Sequence, residues 1–231
     1  RLHLRIRKID GRWYCAEVYT SQYTDYGEHR FLIEFDLDNL DQNVVVGLFV
    51  YEDDAKEIDI EFSKWGDPNF TDIGSFTVQP WTIPGNTERF PVLTDSLRTT
   101  NLFIWKENYV NFYSIIGHHE GLLPSPENYI HQWIYWGNSI PKNSDDLRTH
   151  INFWLVQGKS PVDTTNLEIV ITKVQLPIET GVKKDRETIP TKISHFNFPN
   201  PSSERTTIQF KLSMPDYVKI DIYNLLMQSL N

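Results

Sequence analysis

Three acids occupy every second position of one short segment, Glu57-Ile58-Asp59-Ile60-Glu61. Because alternate residues of a β-strand point to the same face, the three carboxyl groups are expected on one face and the two isoleucines on the other. Carboxylates about 7 Å apart along a strand repel one another by roughly 2 kcal/mol at an effective dielectric near 20. This repulsion raises the proton affinity of at least one of them. A protonated acid beside an ionised carboxylate is the pair that glycoside cleavage needs.

The spacing of the two glutamates suits one form of that chemistry. Alpha carbons four residues apart on a strand are separated by about 13 Å, and two glutamate side chains that lean inward close much of that gap. The retaining mechanism needs carboxyl groups about 5–5.5 Å apart, which Glu57 and Glu61 can reach. Asp59 lies between them and is placed to hydrogen-bond to one of them. The alternative interpretation is a solvated acidic face on an edge strand, since runs of surface charge are common.

The elements around this segment are predicted to be short strands. Apolar and polar residues alternate in most of the chain, for example over residues 2–6, 31–35 and 169–171. Period-two alternation is typical of strands with one buried face. Turn signals such as Asp10-Gly11 and Pro84-Gly85-Asn86 separate these segments, and no long helical pattern interrupts them. The sequence therefore predicts an all-β sandwich of two antiparallel sheets.

Composition excludes several classes of protein. The 231 residues carry a formal charge of -9, which argues against a nucleic-acid backbone or an anionic membrane surface as the main partner. Cys15 is the one cysteine, so neither an internal disulfide framework nor a Cys-cluster zinc site is predicted. The longest apolar stretch, residues 44–51, is too short for a membrane span of about 20 residues. His118, His119 and His131 lack the spacing of a helical metal site, and no metal ligand is predicted.

The acidic segment is similar to the signature of glycoside hydrolase family 16. Its uninterrupted five-residue form resembles the branch that holds bacterial lichenases and plant xyloglucan endotransglycosylases. Further segments resemble the family in the same order along the chain: Trp13–Ser21 followed by Tyr26-Gly27, Val44–Tyr51, Asn101–Tyr113 and Ile151–Trp154. The resemblance covers residues 2–177. It implies a concanavalin-like jelly roll with an open glycan cleft, and a β-linked polysaccharide, a β-glucan, as the substrate.

The resemblance also implies roles for individual residues. Glu57 would attack the anomeric carbon, Glu61 would protonate the leaving oxygen and then activate water, and Asp59 would assist them. The predicted substrate-binding residues are Glu17, Trp65, Gln79, Asn152 and Trp154. No cofactor is required, although family members often hold a structural calcium ion. Two alternatives stay open: a transglycosylase that acts on xyloglucan-like glycans with the same carboxylates, and a glycan-binding module without turnover.

The chain is predicted to contain two domains and a linker. Residues 1–177 form the jelly-roll domain, for which the resemblance implies one or two strands before Arg1. Residues 178–193 carry charges with little apolar periodicity and suit a linker. Residues 194–231 alternate again but are too few to close an independent sandwich, so they are interpreted as a partial, immunoglobulin-like β tail.

Two motifs in the tail bear on where the protein acts. Phe198-Pro199-Asn200-Pro201 and Ile222-Tyr223-Asn224-Leu225-Leu226 are similar to segments of the C-terminal sorting domains of type IX secretion substrates. This resemblance implies export across the envelope of a Bacteroidetes-like bacterium. The secretion machinery is then an expected partner, and the expected location is secreted or on the cell surface.

Overall fold

The computed structural model describes residues 1–144 and 146–177 in full, together with the backbone of residues 194–198 and 207–211. The chain divides into two compact units, residues 1–178 and residues 179–231. All of the chemistry-bearing residues named above belong to the first unit.

Thirteen strands make up the described part of the first unit. In chain order they are β1 (Leu2–Ile9), β2 (Arg12–Tyr14), β3 (Ala16–Tyr19), β4 (Gly27–Glu34), β5 (Val44–Asp53), β6 (Lys56–Ser63), β7 (Gly74–Val78), β8 (Thr87–Phe90), β9 (Arg98–Trp105), β10 (Val110–Ile116), β11 (Tyr129–Tyr135), β12 (Arg148–Leu155) and β13 (Leu167–Gln175). Seven of them form one sheet in the spatial order β11-β10-β9-β4-β13-β1-β2. The other six form a second sheet in the order β3-β12-β5-β6-β7-β8. Every pairing between neighbouring strands is antiparallel.

The hydrophobic core lies between the two sheets and is supplied by alternate residues of each strand. In the six-stranded sheet these include Val46 and Leu48 of β5 and Phe76 of β7, and in the seven-stranded sheet they include Phe31 and Phe103, all fully buried. This architecture confirms the predicted jelly-roll sandwich of two antiparallel sheets. The only helices among the described residues are two short 3-10 helices, Pro126–Asn128 and Val156–Gly158. None of the helices in this part of the chain is long and apolar enough to cross a membrane.

A cluster of aromatic rings joins the two sheets along one side of the sandwich. Phe76 packs against Phe90 at 4.5 Å and stacks on Phe112 at 5.0 Å between ring centroids. His131 of β11 stacks on Phe90 of β8 at 4.5 Å, and its Nε2 lies 3.3 Å from Glu88 Oε1. The edge strand of one sheet, β8, therefore lies beside the edge strand of the other, β11.

Two further strands are described in the second unit. β14 (Ser194–Phe198) and β15 (Thr207–Lys211) pair antiparallel, with Ser194 opposite Lys211. The whole of the predicted linker 178–193 and the rest of the tail, including the motif at residues 222–226, lie outside the described residues. The immunoglobulin-like tail, the sorting domain and export therefore stay predictions.

Candidate active site

The three acids lie on the outer face of the six-stranded sheet, the face turned away from the core. Ile58 and Ile60 are fully buried in the core, so the alternate residues Glu57, Asp59 and Glu61 point outward. The strand that carries them, β6, is an interior strand with β5 on one side and β7 on the other. The alternative of an acidic edge strand is therefore wrong.

This outer face is recessed rather than open to bulk water. Asp59 is only 2% exposed, and Thr77, which lies opposite it on β7, is only 3% exposed, although both side chains point away from the core. Glu57 and Glu61 are half-buried on either side of Asp59. Surrounding protein atoms thus desolvate the carboxyl groups and leave the two glutamates accessible from the recess.

Burial and mutual repulsion shift the protonation of all three acids. Burial, and then the charge of Glu57, raise the pKa of Glu61 to about 7, while the charge of Arg89 opposes the shift. Burial and the neighbouring glutamate charges raise the pKa of Asp59 well above its usual range. Burial also raises the pKa of Glu57, but a hydrogen bond with Asp59 opposes this shift. The arrangement favours a protonated Glu61 and a protonated Asp59 that donates to an ionised Glu57.

Gln79, a predicted substrate-binding residue, contacts the acids rather than standing free. Its Nε2 donates to Asp59 Oδ2 at 2.9 Å, and its Oε1 accepts from the backbone N–H of Trp81 at 2.7 Å. Asp59 thus has hydrogen-bond partners in both Gln79 and Glu57. Gln79 therefore positions the middle acid and anchors the start of the loop between β7 and β8.

Asn152 and Trp154 point into the recess with polar atoms that lack a protein partner. Within the described part of the chain, Asn152 Oδ1 and Trp154 Nε1 are buried without a hydrogen bond. In the sheet register Asn152 lies opposite Gly47, which lies opposite Glu61. A Cβ on Gly47 would lie 2.3 Å from Asn152 Oδ1, so the glycine makes room for the amide in the row of Glu61. Most buried polar atoms in proteins have a hydrogen-bond partner, so these two atoms mark the outer face near Glu61 as a candidate binding surface.

Glu17 belongs to an aromatic and charged cluster at the β3 side of the outer face. Its Oε1 lies 2.8 Å from Nδ1 of His150, which is not among the predicted site residues. The imidazole stacks on Tyr19 at 5.1 Å and on Phe49 at 5.0 Å. The charge of His150 lowers the pKa of Glu57 and that of Glu17 raises it, so this pair acts on the predicted nucleophile. The signal was present in the sequence, because His150 precedes Asn152 by two residues and shares its face.

Trp65 and Arg89 complete the surroundings of the acids. Trp65 follows β6 with a positive φ of 52° and packs edge to face on Trp154 at 6.4 Å. Arg89 of β8 lies opposite Ser75, which lies opposite Glu61, and supplies the cation that acts on Glu61. Arg89 is not predictable as a neighbour of Glu61 from the sequence, because two strand pairings and a loop separate the two residues.

The histidines and the cysteine set aside in the sequence have ordinary structural contacts. His118 Nε2 lies 3.0 Å from the carbonyl oxygen of Ile33, and His119 Nε2 lies 2.9 Å from that of Ile116. Burial raises the pKa of the Cys15 thiol to about 11, which disfavours the thiolate. Among the described residues, no three His, Cys, Asp or Glu side chains converge on a metal site.

The raised carboxyl pKa values predict that the acids destabilise the fold at neutral pH. The folded chain binds these protons more tightly than the unfolded chain. The bound protons therefore stabilise the fold near pH 4, and this stabilisation is lost as the pH rises towards 7. Glu61→Gln removes the ionisable group. We expect the variant to be more stable than the native chain by about 1–3 kcal/mol at pH 8 and nearly equal to it at pH 4.5.

Urea unfolding at the two pH values measures this difference. Glu107→Gln serves as the matched control because Glu107 is exposed on the surface. The free energy of unfolding of this control should equal that of the native chain at both pH values. A Glu61→Gln variant whose free energy of unfolding differs from the native value by the same amount at pH 4.5 and pH 8 would contradict the prediction.

The described fold is similar to those of two solved glucanases and a solved glycosidic hydrolase, at low sequence identity. A β-glucanase from Bacillus licheniformis is 18% identical, with a TM-score of 0.53 over 74% of this chain and 76% of that chain. A solved glycosidic hydrolase is 19% identical, with a TM-score of 0.51 over 76% and 78% of the two chains. A β-1,3-glucanase from Mycobacterium marinum is 17% identical, with a TM-score of 0.50 over 73% and 70%. The sequence matches no family model and no curated protein. The first unit of the chain therefore has the jelly-roll fold that these solved proteins share.

Proposed function

We propose that this chain is a retaining glycoside hydrolase of the family 16 type that cleaves a β-linked polysaccharide, a β-glucan, within the polymer. The observation that carries the proposal is the arrangement of Glu57 and Glu61 on either side of the buried Asp59. Burial raises the pKa of Glu57, but the hydrogen bond from Asp59 opposes this shift and favours the ionised form, while burial holds a proton on Glu61 to about pH 7. The similarity to solved glucanases supports the proposal at the level of the fold.

In the first step of the proposed reaction, Glu57 displaces the leaving group. A carboxylate oxygen of Glu57 forms a bond to the anomeric carbon while the bond from that carbon to the glycosidic oxygen breaks. The proton of Glu61 passes to the glycosidic oxygen, so the released sugar leaves as a neutral hydroxyl. As Glu57 loses its charge, Asp59 keeps its own proton and its bond to Gln79.

In the second step, water releases the sugar from Glu57. Glu61, now ionised, takes a proton from the water while the water oxygen forms a bond to the anomeric carbon. The ester bond to Glu57 breaks, which returns Glu57 as a carboxylate and Glu61 as an acid. Two inversions leave the anomeric configuration unchanged.

A polysaccharide panel tests this proposal. Purified protein should release reducing ends from at least one of barley β-glucan, lichenan, laminarin and xyloglucan, and NMR of the first product should show a β-anomer. Oligosaccharide products from the start of the reaction would reflect cleavage within the chain, whereas a single small sugar would reflect cleavage at an end.

Three outcomes would overturn parts of the proposal. An α-anomer as the first product would exclude the retaining mechanism. Products longer than a supplied donor oligosaccharide would identify a transglycosylase. Binding to a panel polysaccharide without release of reducing ends would identify a glycan-binding module.

A further inference from the structure

A second depression lies outside the acidic recess, at the side of the sandwich where the two sheets meet. Its volume is about 630 Å³. One wall is the end of the loop between β7 and β8, and the other is the end of β11 with the residues that follow it. The lining residues are Ile83, Pro84, Gly85, Asn86, Trp133, Ile134, Tyr135, Trp136, Gly137 and Asn138.

The floor of this depression is a closed hydrogen-bond network. The hydroxyl of Tyr135 donates to Asn86 Oδ1 at 2.7 Å, and Asn86 Nδ2 donates to Ser139 Oγ at 2.9 Å and to the carbonyl oxygen of Pro80 at 3.1 Å. Asn86 and Tyr135 are 3% and 4% exposed. Because each of these groups already has a partner, the network fixes the shape of the depression before any ligand arrives.

The walls offer apolar surface without charge. Trp136 is 64% exposed, and Ile83 and Ile134 are 45% and 40% exposed. The ten lining residues, all of them in the described part of the chain, include no Asp, Glu, Lys, Arg or His. A charged ligand would therefore find no counter-ion here. A neutral sugar ring suits the site, because its apolar C–H face packs on an indole ring while its hydroxyl groups stay in water.

The position of the depression connects it to the acidic recess. Glu57 and Glu61 lie along one strand, so a glycosidic bond held between them belongs to a polymer that crosses the strands. Such a polymer leaves the six-stranded sheet over its edge strand, β8. Residues 83–86 immediately precede β8, and β11 lies beside it through the stacked rings of His131 and Phe90. The loop between β7 and β8, whose end forms this wall, begins at Gln79, and Gln79 is hydrogen-bonded to Asp59.

We propose that this depression is a distal binding site for the neutral polysaccharide chain that leaves the catalytic recess over β8, with Trp136 as its stacking platform. The inference rests on the proposed function for the identity of the ligand. The site would hold sugar units several residues away from the scissile bond. It would therefore strengthen the binding of long chains without affecting the cleavage of short ones.

Affinity electrophoresis through gels that contain soluble barley β-glucan tests binding without turnover. The experiment uses the full chain with Glu57→Gln, which prevents cleavage during the run. Addition of Trp136→Ala should weaken the retardation of the protein about fivefold to tenfold, since ring stacking contributes roughly 1 kcal/mol. The retardation of a Trp136→Phe variant should lie between that of the Glu57→Gln parent and that of the Trp136→Ala variant. Leu122→Ala, at a 95% exposed apolar residue outside the depression, should migrate like the parent.

Kinetics with long and short substrates then separate the two proposals. In the chain with native Glu57, Trp136→Ala should raise KM for the polysaccharide and leave kcat/KM for a short chromogenic oligosaccharide unchanged. Two outcomes would overturn the distal site alone, provided that the native chain cleaves the polysaccharide. In the first, Trp136→Ala lowers kcat/KM equally for the polysaccharide and for the oligosaccharide. In the second, Trp136→Ala changes neither the kinetics nor the retardation in the gel. A chain that cleaves nothing but shows the Trp136-dependent retardation would overturn the proposed hydrolysis and support the distal site. Circular dichroism confirms that each variant is folded.

Discussion

Glu57→Gln is expected to lower kcat for polysaccharide cleavage by at least a thousandfold and to leave the fold intact. The amide is close in volume to the carboxyl group but cannot form the bond to the anomeric carbon that the retaining mechanism requires. Glu57 is half-buried, and an uncharged side chain here relieves repulsion with Asp59 and Glu61. The variant should therefore bind polysaccharide and unfold at the same or a higher urea concentration than the native chain.

Glu61→Gln provides the comparison that assigns the two glutamates. This change removes the acid/base, and such groups typically contribute a factor of 10²–10⁴. Substrates with a good leaving group need no protonation, so the loss of kcat should be much smaller on an activated aryl glycoside than on the polysaccharide. The alkaline limb of the pH–rate profile, which the raised pKa of Glu61 places near pH 7, should also disappear.

Chemical rescue distinguishes the two positions. Azide occupies the space left by Glu57→Ala and attacks the anomeric carbon directly, so the expected product is an α-glycosyl azide. With Glu61→Ala, azide attacks the sugar bound to Glu57, and the expected product is a β-glycosyl azide. The opposite pair of products would reverse the assigned roles. Equal activity of the native chain and Glu57→Gln would remove Glu57 from the reaction altogether.

Alternation along the chain was sufficient to predict the fold class and the face of β6 that carries the acids. Both follow from a local rule, since side chains two residues apart on a strand share a face. The row that joins Glu17, Asn152, Gly47, Glu61 and Ser75 follows from strand pairings between distant parts of the sequence. No local rule gives that register. Family resemblance selected Glu17 and Asn152, but it gave no reason for the glycine between Asn152 and Glu61.

Other residues of the site were missed because their effect depends on what lies above or beside them. His150 is placed by the same alternation as Asn152, yet only the packed structure shows its bond to Glu17 and its stacking on Tyr19 and Phe49. The protonation of the acids has the same origin. Repulsion within the segment was predictable from spacing, whereas burial, the larger cause of each pKa shift, needs the surrounding strands.

Phe76→Ala is expected to destabilise the jelly roll by about 3–5 kcal/mol, the usual range when a buried phenylalanine is truncated. Phe76 is fully buried, and its ring contacts Phe90 and Phe112 at 4.5 Å and 5.0 Å. The ring thus joins β7 and β8 of one sheet to β10 of the other. Its loss leaves a cavity that the flanking strands cannot close without shifting, and β7 also carries Ser75 and Thr77 on the outer face.

Equilibrium unfolding in urea measures this loss, with Leu93→Ala as the control because Leu93 is 83% exposed. The control should change the free energy of unfolding by less than about 0.5 kcal/mol. Since the cavity lies under the strand next to β6, Phe76→Ala should also lower activity under conditions where the variant is still fully folded. A variant that loses stability and keeps full activity would mean that β7 holds its outer face without support from the ring cluster. A variant as stable as the native chain would contradict the packing described for this side of the sandwich.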